Sequence, residues 1–504
     1  MAVPERRAVG KRVKRYLNYI DGAWRAGDAR AWAPNLNPAR TDDVLGEMPL
    51  SSAADADEAI TAAQRALPGW RDVPAPERGR AIARVHRLMT ERAEELAKTL
   101  TREEGKILRE ARGEVGKTLN ILEFMAGEGM RLAGETMPSE MQNTFAYTVR
   151  EPVGVVGAIT PWNFPVAIPC WKIAPALVAG NTVVFKPSSL TPATASMIVE
   201  MFEEAGLPAG VLNLVHGEGD PVGKTIVEDE RVRALSFTGS NGVGGRLYAS
   251  GAERLKKVQC EMGGKNPVLV LEDADLDLAV EGVLLGAFGS TGQRCTATSR
   301  AILVNAVADE FVDRLVEGAR DLKVGDGMDE TMDMGPSVDE GQFDTVLEYV
   351  EIGRQEGARC LTGGEPLTGE EHHQGYFVAP TLFDRVDPDS RIAQEEIFGP
   401  VLSVIRVEDF DEGLEACNNT RFGLTSSVYT SDNALAFRFI RGIETGITHV
   451  NSPTMGGEAQ LPFGGTKATG VGLREMGKTA IDFFSEWKTV YIDYTGRKRE
   501  SLIY

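Results

Sequence analysis

Between positions 53 and 112 apolar side chains return every three to four residues among Ala, Glu and Arg, with Pro74 and Pro76 interrupting the pattern. That period predicts two or three long amphipathic helices, and a further helix follows around 114–126. Residues 18–24, NYIDGAW, read as a short strand and turn, and residues 144–150 alternate like a strand before GVVGAITPWNFP. From 153 to 240 the pattern changes. Apolar strands at 153–160, 182–186, 211–215 and 234–238 alternate with helical stretches at 165–179, 192–205 and 220–228. Such alternation implies an α/β fold with a parallel, doubly wound sheet, whose ligands bind at the carboxyl ends of the strands. The second half continues in the same manner, with strands at 267–271 and 300–304, helices at 276–288, 309–321 and 343–356, and a strand into EEIFGPVLSVIRV. Near the end, 481–494 alternates aromatic and polar residues, a long exposed strand that invites pairing with another subunit.

Composition narrows the function. The chain has 504 residues, 42% hydrophobic and 25% charged, which fits an ordinary globular protein of several domains. Its formal net charge of −20 would repel nucleic acid and anionic membranes, so neither is expected as a partner. Any anionic substrate or cofactor must then be held by local cations. No run reaches the length of a membrane helix. Arg6, Arg7, Lys11, Arg12, Lys14 and Arg15 are basic, but no apolar signal core follows, so a frayed arm or subunit contact is expected. The five cysteines show no paired spacing and read as reduced thiols of a cytoplasmic protein. The five histidines form no ligand-spaced cluster, so no metal is expected, and a catalytic base is sought among the carboxylates.

Cys295 is the candidate nucleophile. It lies in GAFGSTGQRCTATSR, between a small-residue helical pattern and a strand, where small residues leave it open to a substrate. Arg294 beside it is expected to favour the thiolate, while a buried, inert thiol stays open as the alternative. Glu261 opens EMGGK directly after the strand-like KKVQC, either as a base at a strand end or as a plain surface glutamate. Asn163 sits between Pro161 and Pro165 in a stiff TPWNFP loop, a suitable amide donor for an oxyanion or merely part of a turn. Lys186 in FKPSS ends a strand within reach of ribose or phosphate oxygens, and FTGSN, from Phe237, opens a glycine-rich turn. Gly217, Gly219 and Gly223 form GxGxxxG, one residue longer than the dinucleotide fingerprint.

Together PWNFP, FKPS with a downstream TP, FTGS, EMGGK, GQRC, EEIFGPV and PFGG stand in the order of the aldehyde dehydrogenase superfamily, which the chain resembles over nearly its whole length. The resemblance implies a Rossmann-like cofactor domain (1–131 and 151–262), an α/β catalytic domain (263–466) and oligomerisation strands (132–150 and 479–494) in a homodimer or homotetramer. It assigns Cys295 the attack on the aldehyde, Asn163 the oxyanion and Glu261 the hydrolysis of a thioester. Thr160, Trp162, Lys186, Ser188, Ser189, Gly219, Gly223, Phe237, Gly239 and Ser240 would line the adenosine and diphosphate region, and Glu396 and Phe398 the nicotinamide side. Many NAD-preferring members carry a glutamate where this chain has Ser189, so NADP⁺ is expected to be preferred, with NAD⁺ also accepted. Arg294, Phe164, Trp171, Thr296 and Phe463 are the substrate candidates, Arg294 either meeting an anionic tail or bracing its loop. GQRCTATSR with NSPTMGGEAQLPFGG most resembles the members acting on α-ketoglutaric semialdehyde (2,5-dioxopentanoate). Succinate semialdehyde, glyceraldehyde 3-phosphate, acyl transfer to CoA and thiol hydrolysis without redox chemistry remain the rival readings.

Overall fold

The computed structural model describes residues 13–28 and 31–496, so most of the basic N-terminal arm lies outside the described residues. The helical first third contains Ala53–Arg71, Ala75–Glu91, Ala93–Glu104 and Leu108–Glu128. Ser52 and Asp55 close a capping box on the first of these, satisfying backbone N–H groups that a helix start leaves orphaned. Pro74 caps the second, and Pro76 falls in its first turn, where a missing N–H costs nothing. The fourth helix starts six residues before the expected 114, at Leu108. A hairpin of Trp32–Asn37 and Arg40–Pro49 escaped the periodicity because two register shifts interrupt its alternation.

Two mixed sheets carry the molecule. In the first, Leu212–Leu214, Thr182–Lys186, Val155–Ile159, Val232–Thr238 and Lys257–Glu261 run parallel in that spatial order. Asn18–Ile20, itself paired with the edge strand Ala23–Arg25, and Gly470–Val471 flank its two sides as antiparallel strands. Chain order runs one way from Val155–Ile159 and the other way from Val232–Thr238, so the topological switch point lies between those strands, where a crevice opens. The second sheet orders Arg359–Thr362, Thr381–Asp384, Val401–Val407, Thr298–Val304, Asn266–Val270, Thr425–Tyr429 and Ile447–Val450, all parallel except the first. Glu261 ends a strand of one sheet and Asn266 begins a strand of the other, so EMGGK is the hinge between them.

A third, antiparallel sheet joins Thr136–Met137, Thr144–Pro152 and Ser485–Asp493. Its last strand starts at Ser485 because Gly477–Phe483 folds as a helix, so the alternation expected from 481 is strand only in its later part. Phe145, Trp487, Tyr491 and Ile492 are exposed along it. The sequence GSNGVGG also differs from expectation: Asn241–Glu253 is a helix, and Gly244 within it serves close packing rather than a turn. A Cβ at Gly244 would come within 2.5 Å of the Met262 sulfur and 3.1 Å of the Phe237 ring, which explains glycine there.

Candidate active site

Cys295 lies in the connection between helix Leu276–Phe288 and strand Thr298–Val304, half-buried at the border of the largest core cluster. The loop is clamped from several directions. Asn266 Nδ2 donates to the carbonyls of Cys295 and Ala297, both at 2.8 Å, and Thr454 Oγ1 donates to that of Thr296 at 2.8 Å. Gln293 accepts from Val338 N through Oε1 at 3.0 Å. Ser290 and Thr291 hold positive φ values of 48° and 59°, unusual for residues with side chains. Glu110 Oε1 takes the Ser290 N–H at 2.7 Å, and Thr291 Oγ1 donates to the Gly335 carbonyl at 3.0 Å. Backbone held in this way marks a site whose shape is enforced by its surroundings.

Asn163 is buried, and its Nδ2 donates to the Gln293 carbonyl at 3.2 Å, beside the cysteine loop. Its own carbonyl accepts from Lys106 Nζ at 2.6 Å. Lys106 pairs with Glu114 at 2.7 Å, and Glu114 takes the N–H groups of Val166 and Ala167 at 2.8 and 3.1 Å. A buried ion pair thus pins the asparagine loop from both sides. Neither Lys106 nor Glu114 was found from the sequence, since each sits in an ordinary-looking charged helical stretch.

Glu261 is 3% exposed, and Gly465 N approaches its carboxylate at 3.4 Å. Burial first, then the like charge of Glu475, raises its proton affinity well above the usual carboxylate range, while Arg474 and Lys172 oppose the shift. Lys172 is buried against Glu475 and Ser236, the Ser236 oxygen at 3.0 Å. One signal for Lys172 was present: it is the lone charge in the apolar helix AIPCWKIAPALV. Glu475 carried no local signal.

The Cys295 thiol is pushed up to about 12, first by burial and next by the Glu396 carboxylate. The cation that opposes this is Lys117, not the expected Arg294. Arg294 spends its charge elsewhere. Its Nη2 meets Glu110 at 3.1 Å and the Ser290 hydroxyl at 2.8 Å, and Nη1 lies 2.8 Å from the Met455 sulfur. Arg294 braces the cysteine loop, and Phe164 lies under its guanidinium and under the Lys106 ammonium. Trp171 and Phe463 are buried neighbours with ring centres 5.4 Å apart, and Thr296 is buried behind the cysteine.

The crevice at the switch point is a cavity of about 770 Å³. Thr160, Trp162, Lys186, Ser188, Ser189, Gly219, Gly223, Phe237, Gly239 and Ser240 all line it, joined by Lys224 and Arg246, which the sequence reading missed, and by Asp220 and Glu228. The Thr160 and Thr238 hydroxyls are buried at its strand ends with no partner among the described residues. Lys186 is buried, which lowers its pKa to about 8, and its Nζ reaches only the Pro187 carbonyl, at 2.9 Å. Orphaned donors and an underused cation at strand ends fit an anionic dinucleotide. Glu396 and Phe398 lie across from Trp162, whose ring meets Phe398 edge-on at 5.4 Å. Gln342 Nε2 holds the Ile397 and Phe398 carbonyls at 3.0 Å each, fixing Phe398 at a φ of 60°. Glu396 Oε1 accepts from Gly264 N at 3.0 Å, and burial raises its pKa to about 7. Among the described residues no cluster of His, Cys, Asp and Glu is placed to hold a metal, and no helix is long and apolar enough to cross a membrane.

Comparison with known proteins agrees with this geometry. A profile described as the aldehyde dehydrogenase family matches residues 24–490. An α-ketoglutaric semialdehyde dehydrogenase of Bacillus subtilis is 46% identical over 95% of this chain and 98% of its own length. A 2,5-dioxopentanoate dehydrogenase of Saccharolobus solfataricus is 44% identical over 95% and 99%. The crystal structure of an NAD-dependent aldehyde dehydrogenase from Sinorhizobium meliloti superposes with a TM-score of 0.93 at 37% identity, covering 96% of each chain.

Proposed function

The chain belongs to the aldehyde dehydrogenase family, and from that premise we propose that it oxidises an acid semialdehyde of the 2,5-dioxopentanoate kind, with NADP⁺ preferred over NAD⁺. The observation that carries the reading is a fixed amide at the Cys295 loop together with a buried carboxylate of raised proton affinity whose charge reaches the Cys295 sulfur, in a chain whose strand-end crevice holds orphaned donors and Lys186. The names of the Bacillus and Saccharolobus relatives support the substrate class.

Cys295 Sγ attacks the aldehyde carbon, its proton passing to a neighbouring base. Asn163 Nδ2, now spent on a 3.2 Å bond to a carbonyl, is placed to turn onto the forming oxyanion. Lys186 and the strand-end residues of the crevice would hold the oxidised dinucleotide, which would supply the hydride acceptor; once the Cys295 thiohemiacetal has lost its hydride, an acyl thioester remains on Cys295. Glu261 then takes a proton from water, whose oxygen attacks the thioester carbon; the acid departs and the thiol is restored. A carboxylate of raised proton affinity suits this step better than an ordinary one, since it is the stronger base. The Lys172–Glu475 pair beside it offers an exit for the proton.

For the cofactor, Ser189 puts no carboxylate where a 2′-phosphate would sit, and Lys224 and Arg246 add cations to the same cavity. Cytoplasmic residence and assembly as a dimer or tetramer through the antiparallel sheet complete the proposal, the exposed Trp487, Tyr491 and Phe145 supporting the assembly. The test is reduction of NADP⁺ and NAD⁺ followed by absorbance, with 2,5-dioxopentanoate and with pentanal, each with and without CoA. The reading predicts CoA-independent reduction, faster with the acid and with NADP⁺. Equal kcat/KM for the acidic and neutral aldehydes would overturn the substrate, a strong NAD⁺ preference the cofactor, and a strict CoA requirement the hydrolytic step.

A further inference from the structure

We propose that Lys117, rather than Arg294, receives the carboxylate of the substrate, which makes Lys117 the residue that selects for an acidic aldehyde; this rests on the acid-semialdehyde reading above. Helix Leu108–Glu128 turns Gly113, Lys117, Asn120 and Phe124 toward one side, at the spacing of successive turns, and they line a cavity of about 850 Å³. Lys117 is the one cation among the described residues that line it. A Cβ at Gly113 or Gly116 would meet nothing within 4 Å, so this wall of the cavity is open. Glu123 and Glu458 also line the cavity, and neither forms an ion pair with Lys117.

At the inner end the Lys117 ammonium stands 5.2 Å from the centre of the Trp171 ring and 5.6 Å from that of Phe463. Lys117 is half-buried, and among the described residues no carboxylate pairs with its ammonium and no hydrogen bond engages it, which leaves the charge free for an anion. Burial lowers its pKa, the signature of a cation short of an anion, and its charge acts on the Cys295 sulfur. Beside it the Trp171 indole N–H is buried without an acceptor. An unpaired ammonium, an unpaired N–H and a thiol close by form a site for a short molecule with an aldehyde at one end and a carboxylate at the other. Arg294 is turned away from this end: Glu110, Ser290 and Met455 hold its two terminal nitrogens, and only its buried Nε is without a partner among the described residues.

Two readouts on Lys117→Met and Lys117→Arg test this. The first is the ratio of kcat/KM for 2,5-dioxopentanoate over pentanal. Lys117→Met is expected to lower the ratio by about tenfold or more, mostly through KM for the acid, and Lys117→Arg to recover part of it. The second needs no aldehyde: alkylation of Cys295 by anionic iodoacetate relative to neutral iodoacetamide, with Lys117→Met lowering that ratio too. If Lys117→Met slows both members of each pair by the same factor, Lys117 serves packing or the thiolate alone, and the proposal is overturned while the substrate reading stands. If the unaltered enzyme shows no preference for the acid, the substrate reading fails, and the alkylation ratio then decides whether Lys117 still recruits anions to Cys295.

Discussion

The cofactor crevice and the cavity at Lys117 share no lining residue, and the chain builds them in different ways. The crevice is made mostly at strand ends, where Thr160 and Trp162, Lys186 to Ser189, and Phe237 to Ser240 end or follow a parallel strand, with Lys224, Glu228 and Arg246 added from two helices. Each strand-end contribution is a short contiguous segment punctuated by glycine, proline or lysine. The substrate cavity is instead assembled from one face of the helix Leu108–Glu128 and from the distant segment 457–460. Its lining is spread at helical spacing through sequence that otherwise reads as solvated surface. The backbone therefore fixes where the dinucleotide lies, while individual side chains such as Lys117 tune what is oxidised.

The largest effects should come at Cys295 and Glu261, on which the use of both regions depends. Cys295→Ala is expected to lower the dehydrogenase rate by about a thousandfold or more with every aldehyde, measured as cofactor reduction. Glu261→Gln should lower steady-state kcat by about a hundred- to ten-thousandfold while leaving one rapid turnover per subunit, seen as a burst. A smaller effect separates scaffold from selectivity. Glu114→Gln removes the closer of the two buried carboxylates paired with Lys106, leaving Glu104 at 3.9 Å, and should cost about 3 kcal/mol of stability, read as a lower melting temperature, with little change in the ratio of acidic to neutral aldehyde. Arg294→Met should behave likewise, slowing acidic and neutral aldehydes together because it loosens the cysteine loop. On the cofactor side alone, Ser189→Glu should move the NADP⁺ to NAD⁺ preference by about tenfold toward NAD⁺.

The pH dependence offers the finest test. Glu261 acts as a base when ionised, so thioester hydrolysis should rise with pH through a value above the ordinary carboxylate range. The negative charge of Glu475 is part of what raises it. In Glu475→Gln that repulsion is gone, Glu261 ionises at lower pH, and the rising limb should move toward acid.

What could be read from the chain follows the same division. The parallel strands and most of the crevice were legible because apolar runs bounded by glycine or proline have few alternatives, and Cys295, Glu261 and Asn163 sit in such punctuated segments. The Trp32–Asn37 hairpin was not, since its register shifts break the alternation. The charged partners were hidden for another reason. Lys106, Glu110 and Glu114 occur among many exposed charges of the same helical region, and only the fold shows which ones turn inward. Arg294 was left open between a charge for the site and a brace for its loop, because adjacency in sequence says nothing about Glu110, which lies far away in the chain and pairs with it.

The account stands most directly on Cys295 carrying the acyl group and Glu261 releasing it. Glu261→Gln enzyme mixed with 2,5-dioxopentanoate and NADP⁺, quenched in acid and weighed by intact and peptide mass spectrometry, tests both at once. The account predicts one acyl group on the peptide containing Cys295 and one equivalent of reduced cofactor per subunit. An unmodified Cys295 peptide alongside continued turnover, or an acyl group on another residue, would contradict it.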